Sequence, residues 1–141
     1  MWAVLDLETT IKSYAKRKAS PFHPDNWVVM GGWATKADPT PRGRRYAQFR
    51  QGDLTDDFIR LQPGTRFLVG QNIKFDILHI IKDDRAFKAW MKYVADGGMV
   101  WDLQLAEYVL EGLDQASHML SMDELPLRYG VDLKVDEVKK L

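Results

Sequence analysis

Two carboxylates share one face of the first predicted strand. Asp6 and Glu8 lie in a hydrophobic segment that starts at Trp2. Alternate residues of a strand point to the same face, so both acids project together with Val4. The opposite face is apolar and consists of Ala3, Leu5 and Leu7. Two adjacent carboxylates repel each other, and Mg²⁺ or Mn²⁺, which accept hard carboxylate oxygens, remove that repulsion. The pair therefore predicts a divalent metal site.

A second acidic segment follows another short hydrophobic run. Residues 67–69 predict a strand, which leads through Gly70, Gln71 and Asn72 into a predicted helix that carries Asp76. This segment lies far along the chain from the acidic pair.

These segments together resemble the motifs of a known nuclease family. Asp-x-Glu-Thr at residues 6–9 and Gly-Gln-Asn-x-Lys-Phe-Asp at residues 70–76 are similar to two exonuclease motifs. They are the first two motifs of the proofreading 3′–5′ exonuclease domain of family A (Pol I-like) DNA polymerases, in the DEDD exonuclease superfamily. Residues 100–110 and 120–130 resemble two later helices of that domain, so the resemblance covers nearly the whole chain.

The resemblance implies an α/β fold of the ribonuclease H-like type. We expect a mixed sheet flanked by helices, in a single domain over residues 1–141. The hydrophobic pattern predicts an antiparallel meander of strands over residues 2–9, 26–35 and 44–50, then a strand over 67–69 parallel to the first and another over 99–101. The predicted helices cover residues 54–61, 73–94, 103–110 and 121–129. In the third quarter of the chain the expected buried stripe comprises Phe87, Trp90, Met91 and Val94.

The resemblance also implies the roles of the site residues. Asp6, Glu8 and Asp76 would be the catalytic residues and the ligands of two Mg²⁺ or Mn²⁺ ions. The substrate would be the 3′ end of single-stranded DNA. The residues implied to bind its terminal nucleotide are Thr9, Thr10, Gln71 and Asn72. Asp102 is expected to cap the helix that follows it.

The third motif of the family is missing from the sequence. It carries a fourth metal-coordinating Asp in a Tyr-x-x-x-Asp or His-x-x-x-x-Asp pattern, and no Tyr-x-x-x-Asp occurs here. Two histidines have an Asp five residues later, namely His79 with Asp84 and His118 with Asp123. Ser121-Met-Asp-Glu has the pattern of a capping box, which assigns Asp123 to a helix start. We therefore expect an exonuclease domain that is C-terminally incomplete, truncated before the third motif.

Three functions remain open for such a chain. The first is a metal-dependent 3′–5′ exonuclease, part of a phage or bacterial DNA polymerase, with a ribonuclease as a variant. The second is a catalytically incomplete module that binds single-stranded nucleic acid or metal without cutting. The third is a fragment that takes the fourth carboxylate from a separate chain. Truncation would also expose apolar surface, which predicts self-association.

The composition of the chain excludes several kinds of site and membrane segment. The chain has no cysteine, which excludes disulfides and thiolate metal sites. Its hydrophobic runs are too short for a membrane span or a signal peptide, so we expect a cytoplasmic protein. The net charge is zero, so phosphate binding would depend on local cations. Lys12, Lys16, Arg17 and Lys18 form such a cluster, either as a solvated loop or as a phosphate-facing patch.

Overall fold

The chain folds into two compact units, Met1–Asp102 and Leu103–Leu141. A computed structural model describes residues 1–112 and 119–132. His118, one of the two histidines with the third-motif spacing, lies outside the described residues. The prediction of a single domain over residues 1–141 stays a prediction, and each unit is described by itself.

The first unit is built on a five-stranded mixed sheet with the order β3-β2-β1-β4-β5. β1 pairs antiparallel with β2 and parallel with β4, β2 pairs antiparallel with β3, and β5 pairs parallel with β4. The strands are β1 (Trp2–Thr9), β2 (Val28–Thr35), β3 (Arg42–Arg45), β4 (Phe67–Gly70) and β5 (Met99–Asp102). The predicted meander and parallel fourth strand are confirmed, and β1 is the central strand.

Three α-helices of the first unit pack on one face of this sheet. They are α1 (Gln51–Leu61), which follows a 3₁₀ turn at Gln48–Arg50, α2 (Ile73–Ile80) and α3 (Asp84–Ala95). Their buried side chains form one cluster with alternate residues of β1 and β4. This core includes Ala3, Leu5, Leu7, Leu68, Leu54, Phe58, Ile73, Ile77 and Ile80. Each large side chain buried in this way stabilises the fold by about 1.5–3 kcal/mol.

The third strand covers Arg42–Arg45 and so ends well before residue 50, where the sequence predicts its end, although Tyr46 N still donates to the Val29 carbonyl at 2.9 Å. The Tyr46 side chain is buried, and its hydroxyl donates a hydrogen bond to Asp57 Oδ2 of α1 at 2.8 Å. Burial and the neighbouring Asp57 carboxylate raise the pKa of Tyr46. Beyond this point the Gln51 side chain replaces a strand partner for Val28. It donates to the Val28 carbonyl and accepts from the Val28 N–H, both at 3.1 Å.

The predicted helix over residues 73–94 is interrupted. α2 ends at Ile80, and α3 begins after Asp83, whose side chain accepts a hydrogen bond from Ala86 N at 3.1 Å. A side-chain oxygen in this position satisfies a free N–H group of the first helical turn. Asp83 therefore starts a new helix.

The described part of the second unit contains two helices, α4 (Leu103–Leu110) and α5 (Glu124–Tyr129). Glu107 of α4 is buried and accepts from Arg128 at 2.7 Å and from the Tyr129 hydroxyl at 2.6 Å. Ser121 and Glu124 form the predicted capping box, with Ser121 N donating to Glu124 Oε2 at 2.8 Å. Glu124 N donates to Ser121 Oγ at 3.3 Å. No helix in residues 1–112 and 119–132 is long and apolar enough to cross a membrane.

Candidate active site

Asp6 and Glu8 project from the sheet face opposite the one that packs on α1, α2 and α3. Both acids are half-buried, whereas the intervening Leu5 and Leu7 are 3% and 5% exposed. The predicted alternation along β1 is therefore confirmed. It brings both carboxylates to one face, near the carboxyl end of the central strand.

Asp6 has glycines as its neighbours on β2 and β3. Asp6 pairs with Gly32, and Gly32 pairs with Gly43. Paired residues of antiparallel strands project from the same face, so no side chain of β2 or β3 stands in the row of Asp6. A Cβ atom at Gly32 would have its nearest neighbour at 3.7 Å, which is an ordinary contact. The strand itself does not need a glycine there, and the row leaves space beside the Asp6 carboxylate.

The row of Glu8 contains a cation that the sequence did not identify. Glu8 pairs with Met30, and Met30 pairs with Arg45 of β3. Two strand spacings, about 10 Å, separate the backbones of Glu8 and Arg45, and a long side chain covers much of that distance. The adjacent Arg44 and Arg45 were visible in the sequence, but the pairing register that selects Arg45 was not.

The end of β4 lies unusually close to β1. A Cβ atom on Gly70 would come within 2.8 Å of the Leu5 carbonyl oxygen and 3.1 Å of Ile73 Cβ. Only glycine fits such a backbone contact without displacing a neighbour. Gly70 therefore holds the start of α2 close to the central strand.

Asn72 makes the turn from β4 into α2. Its backbone is left-handed, with φ of 52°, a conformation that Asn tolerates better than most residues. Its N–H donates a hydrogen bond to Asp102 Oδ1 at 3.1 Å. Asp102 stands at the end of β5, where it pairs with Gly70. The described contact of Asp102 is thus to the turn before α2, a role that the sequence did not predict.

Asp76 lies on the first turn of α2 and is 3% exposed. Asp6, Glu8 and Asp76 each have an interaction partner. Within the described ranges, no three His, Asp or Glu side chains are placed to hold a metal ion. Mg²⁺, however, commonly takes only one or two protein carboxylates and keeps several waters. The pair of oxygen donors on β1 fits that requirement, and the three-residue ligand set stays a prediction.

The residues expected to bind the terminal nucleotide divide into two groups. Thr9 and Gln71 are half-buried, and Asn72 is exposed at the turn. Thr10, in contrast, uses its hydroxyl within the protein. That hydroxyl donates to Asn26 Oδ1 at 2.9 Å and accepts from Trp27 N at 3.0 Å. Thr10 anchors the loop that follows β1.

His79 has a structural position on α2. Its Nδ1 lies 3.0 Å from the Phe75 carbonyl oxygen, and burial lowers its pKa. Its Nε2 is buried without a hydrogen-bond partner in the part of the chain that the structure describes. Asp84, the residue with third-motif spacing, instead pairs with Lys88 on the surface of α3 at 2.7 Å.

Comparison with known proteins adds no family assignment. No protein-family model and no curated protein matches the chain.

Proposed function

We propose that this chain is a metal-dependent 3′–5′ exonuclease domain with a ribonuclease H-like fold, acting on single-stranded DNA. The observation that carries the proposal is the position of Asp6 and Glu8. They share one face near the carboxyl end of the central strand, beside a row of glycines. The close approach of β4 brings the turn before Asp76 to the same end of the sheet. The motifs at residues 6–9 and 70–76 give this arrangement its exonuclease interpretation.

The reaction assigns a task to each group of residues. A Mg²⁺ or Mn²⁺ ion held by Asp6 and Glu8 would supply an activated water and positive charge beside the scissile phosphate. Asp76 would contribute negative charge to the ligand set. Asn72 and Gln71 would hydrogen-bond the terminal nucleotide through their side-chain amides, which orients the phosphodiester for in-line attack.

A module that binds metal and single-stranded ends without hydrolysis is the second candidate. Its support is that no three acidic or histidine side chains within residues 1–112 and 119–132 are placed as metal ligands. In the remaining alternative, a separate chain or an attached polymerase domain would supply the missing carboxylate and so complete the exonuclease. The cell compartment in this proposal is the bacterial or phage-infected cytoplasm.

The test is degradation of a single-stranded DNA oligonucleotide with a 5′-fluorescein label, in the presence of Mn²⁺. We expect products that shorten one nucleotide at a time from the 3′ end, and no products with EDTA. Asp6→Asn keeps the side-chain size but removes a charged ligand, so the rate should fall on the order of 100-fold or more. Asp84→Asn is the matched control, because it removes only a carboxylate on the surface of α3.

The outcomes separate the two candidates. A rate that persists in Asp6→Asn would contradict the proposed site. Full-length DNA with the wild-type chain would contradict the exonuclease. In that case, Mn²⁺ binding by calorimetry that is lost in Asp6→Asn would support the binding module.

A further inference from the structure

The loop between β1 and β2 is an ordered element organised by one buried amide. Asn26 is 3% exposed, and its side chain makes four hydrogen bonds. It donates to the carbonyls of Lys12 (2.7 Å) and Ser20 (2.8 Å), and accepts from Lys12 N and Thr10 Oγ1, both at 2.9 Å. These bonds use the two donors and two acceptor sites of an Asn amide. The Asn26 amide therefore ties both sides of the loop, at Thr10, Lys12 and Ser20, to one point.

The base of this loop is fixed next to the acidic strand. Thr10 N donates to the Trp27 carbonyl at 3.0 Å, which closes the loop two residues beyond Glu8. From the other side, Lys82 Nζ donates to the carbonyls of Asn26 at 2.7 Å and His23 at 3.1 Å. The loop thus leaves the sheet at the end that carries the candidate site.

The tip of the loop is a tight hairpin turn. Tyr14 and Arg17 exchange two backbone hydrogen bonds, both at 2.9 Å. Between them, Ala15 and Lys16 have φ of 47° and 66°, as in a type I′ turn. Such turns favour Gly and Asn, so Ala and Lys hold this conformation at an energetic cost. Strained backbone maintained by its surroundings is a feature of binding segments.

The hairpin carries cations that have no ion-pair partner in the described part of the chain. Lys16, Arg17 and Lys18 are exposed, and none of them has an ion-pair partner among the described residues. Lys12, by contrast, pairs with Asp25 at 3.2 Å. Because the whole chain has zero net charge, three consecutive unpaired cations are a local excess. Tyr14, 53% exposed, stands beside them.

We propose that residues 14–18, the cationic hairpin, bind the phosphodiester backbone of the single-stranded DNA whose 3′ end reaches Asp6 and Glu8. This inference rests on the proposed function and names a substrate contact for it. Cations that track the backbone, next to an aromatic ring on which a base stacks, are the usual elements of single-strand binding. An acidic protein segment would match the charge but would not use the exposed ring in this way.

The test is DNA binding without cleavage. Fluorescence anisotropy measures the affinity of the full chain for a 5′-fluorescein oligothymidylate in EDTA, over a series of salt concentrations. Lys16→Gln/Arg17→Gln removes two backbone contacts, so the magnitude of the slope of log K against log salt should fall by about 1.4. Affinity in about 0.1 M salt should fall about 25-fold. The matched control is Lys36→Gln/Arg66→Gln, which removes one Lys and one Arg that are also exposed and have no ion-pair partner in the described ranges.

Lys36 and Arg66 lie at the other end of β1, since their N–H groups donate to the Trp2 and Met1 carbonyls at 3.0 and 2.7 Å. The control should therefore bind like wild type. Equal weakening in both variants, no weakening in the hairpin variant, or undetectable wild-type binding would overturn the inference. Polyglutamate that competes as well as unlabelled DNA of equal charge would overturn it in favour of an acidic protein partner.

These outcomes are distinguishable from failure of the exonuclease. If the wild-type chain degrades DNA and the hairpin variant binds DNA as tightly as wild type, only the proposal for the hairpin is contradicted. If the wild-type chain does not degrade DNA but the hairpin variant binds DNA more weakly than wild type, only the proposed exonuclease activity is contradicted.

Discussion

Gly70→Ala should loosen the contact that brings the second acidic segment to the central strand. The new Cβ would lie 2.8 Å from the Leu5 carbonyl oxygen, roughly 0.5 Å closer than the shortest usual carbon–oxygen contacts. The Leu5 carbonyl and residue 70 itself belong to the backbone, so neither can rotate away as a side chain would. Ile73 Cβ, 3.1 Å from the new Cβ, prevents a shift toward α2. Overpacking of this kind costs about 2 kcal/mol. The melting temperature should therefore fall by about 7 °C.

The same displacement should affect the candidate site. Moving the end of β4 away from β1 also moves Asn72 and Asp76. The proposed exonuclease activity, measured at a temperature where the variant is folded, should therefore fall more than the folded fraction does. Circular dichroism gives the melting temperature and the folded fraction, and the 5′-labelled DNA assay gives the rate.

Gly52→Ala is the control for Gly70→Ala. Gly52 lies in α1, is exposed, and a Cβ atom there would have no neighbour within 4 Å. Ala in a helix is more stable than Gly by roughly 0.5–1 kcal/mol, so this variant should melt higher than wild type. A Gly70→Ala protein that melts at or above the wild-type temperature would refute the argument from close approach.

Two further predictions concern other parts of the first unit. Asn26→Ala should lower the free energy of unfolding by about 3 kcal/mol, because several groups lose hydrogen-bond partners worth about 1 kcal/mol each. Trypsin should then cleave after Lys16 faster than in wild type. An unchanged cleavage rate would contradict the proposed role of Asn26 in anchoring the loop. His79 should make the protein less stable as the pH falls below about 6.5: burial lowers its folded pKa from that ordinary value, so the unfolded chain binds the proton first and protonation favours unfolding. Urea denaturation between about pH 7.5 and 5 should show a smaller loss in His79→Gln than in wild type, and equal losses would exclude His79 as the cause.

Part of the candidate site follows from local sequence. The alternation of Asp6 and Glu8 with Leu5 and Leu7 needs only the two-residue period of a strand, and the structure confirms it. The Ser121–Glu124 capping box is also local, since its two hydrogen bonds span three residues. Patterns of this range can be read from the chain because no distant residue decides them.

Helix α3 shows that local sequence patterns do not always predict which side chains are buried. The apolar spacing predicted an inward stripe that includes Trp90. Trp90 does pack against the core, but Phe87, Met91 and Val94 are exposed. Tyr93 is buried instead, with its hydroxyl within 3.0 Å of the Arg66 carbonyl and 2.9 Å of the Met99 carbonyl. The backbones at the starts of β4 and β5 thus hold a polar atom of the helix, and that contact depends on strand positions that helical periodicity does not contain.

The sequence by itself determined which residues are candidates for the proposed chemistry and that Asp6 and Glu8 share a face, because these depend on residue type and strand period. Only the tertiary structure decided that glycines flank Asp6, that Arg45 lies in the row of Glu8, and that Asp102 holds the Asn72 turn. Those facts depend on strand order and pairing register. Both are set by contacts between segments that lie far apart in the chain.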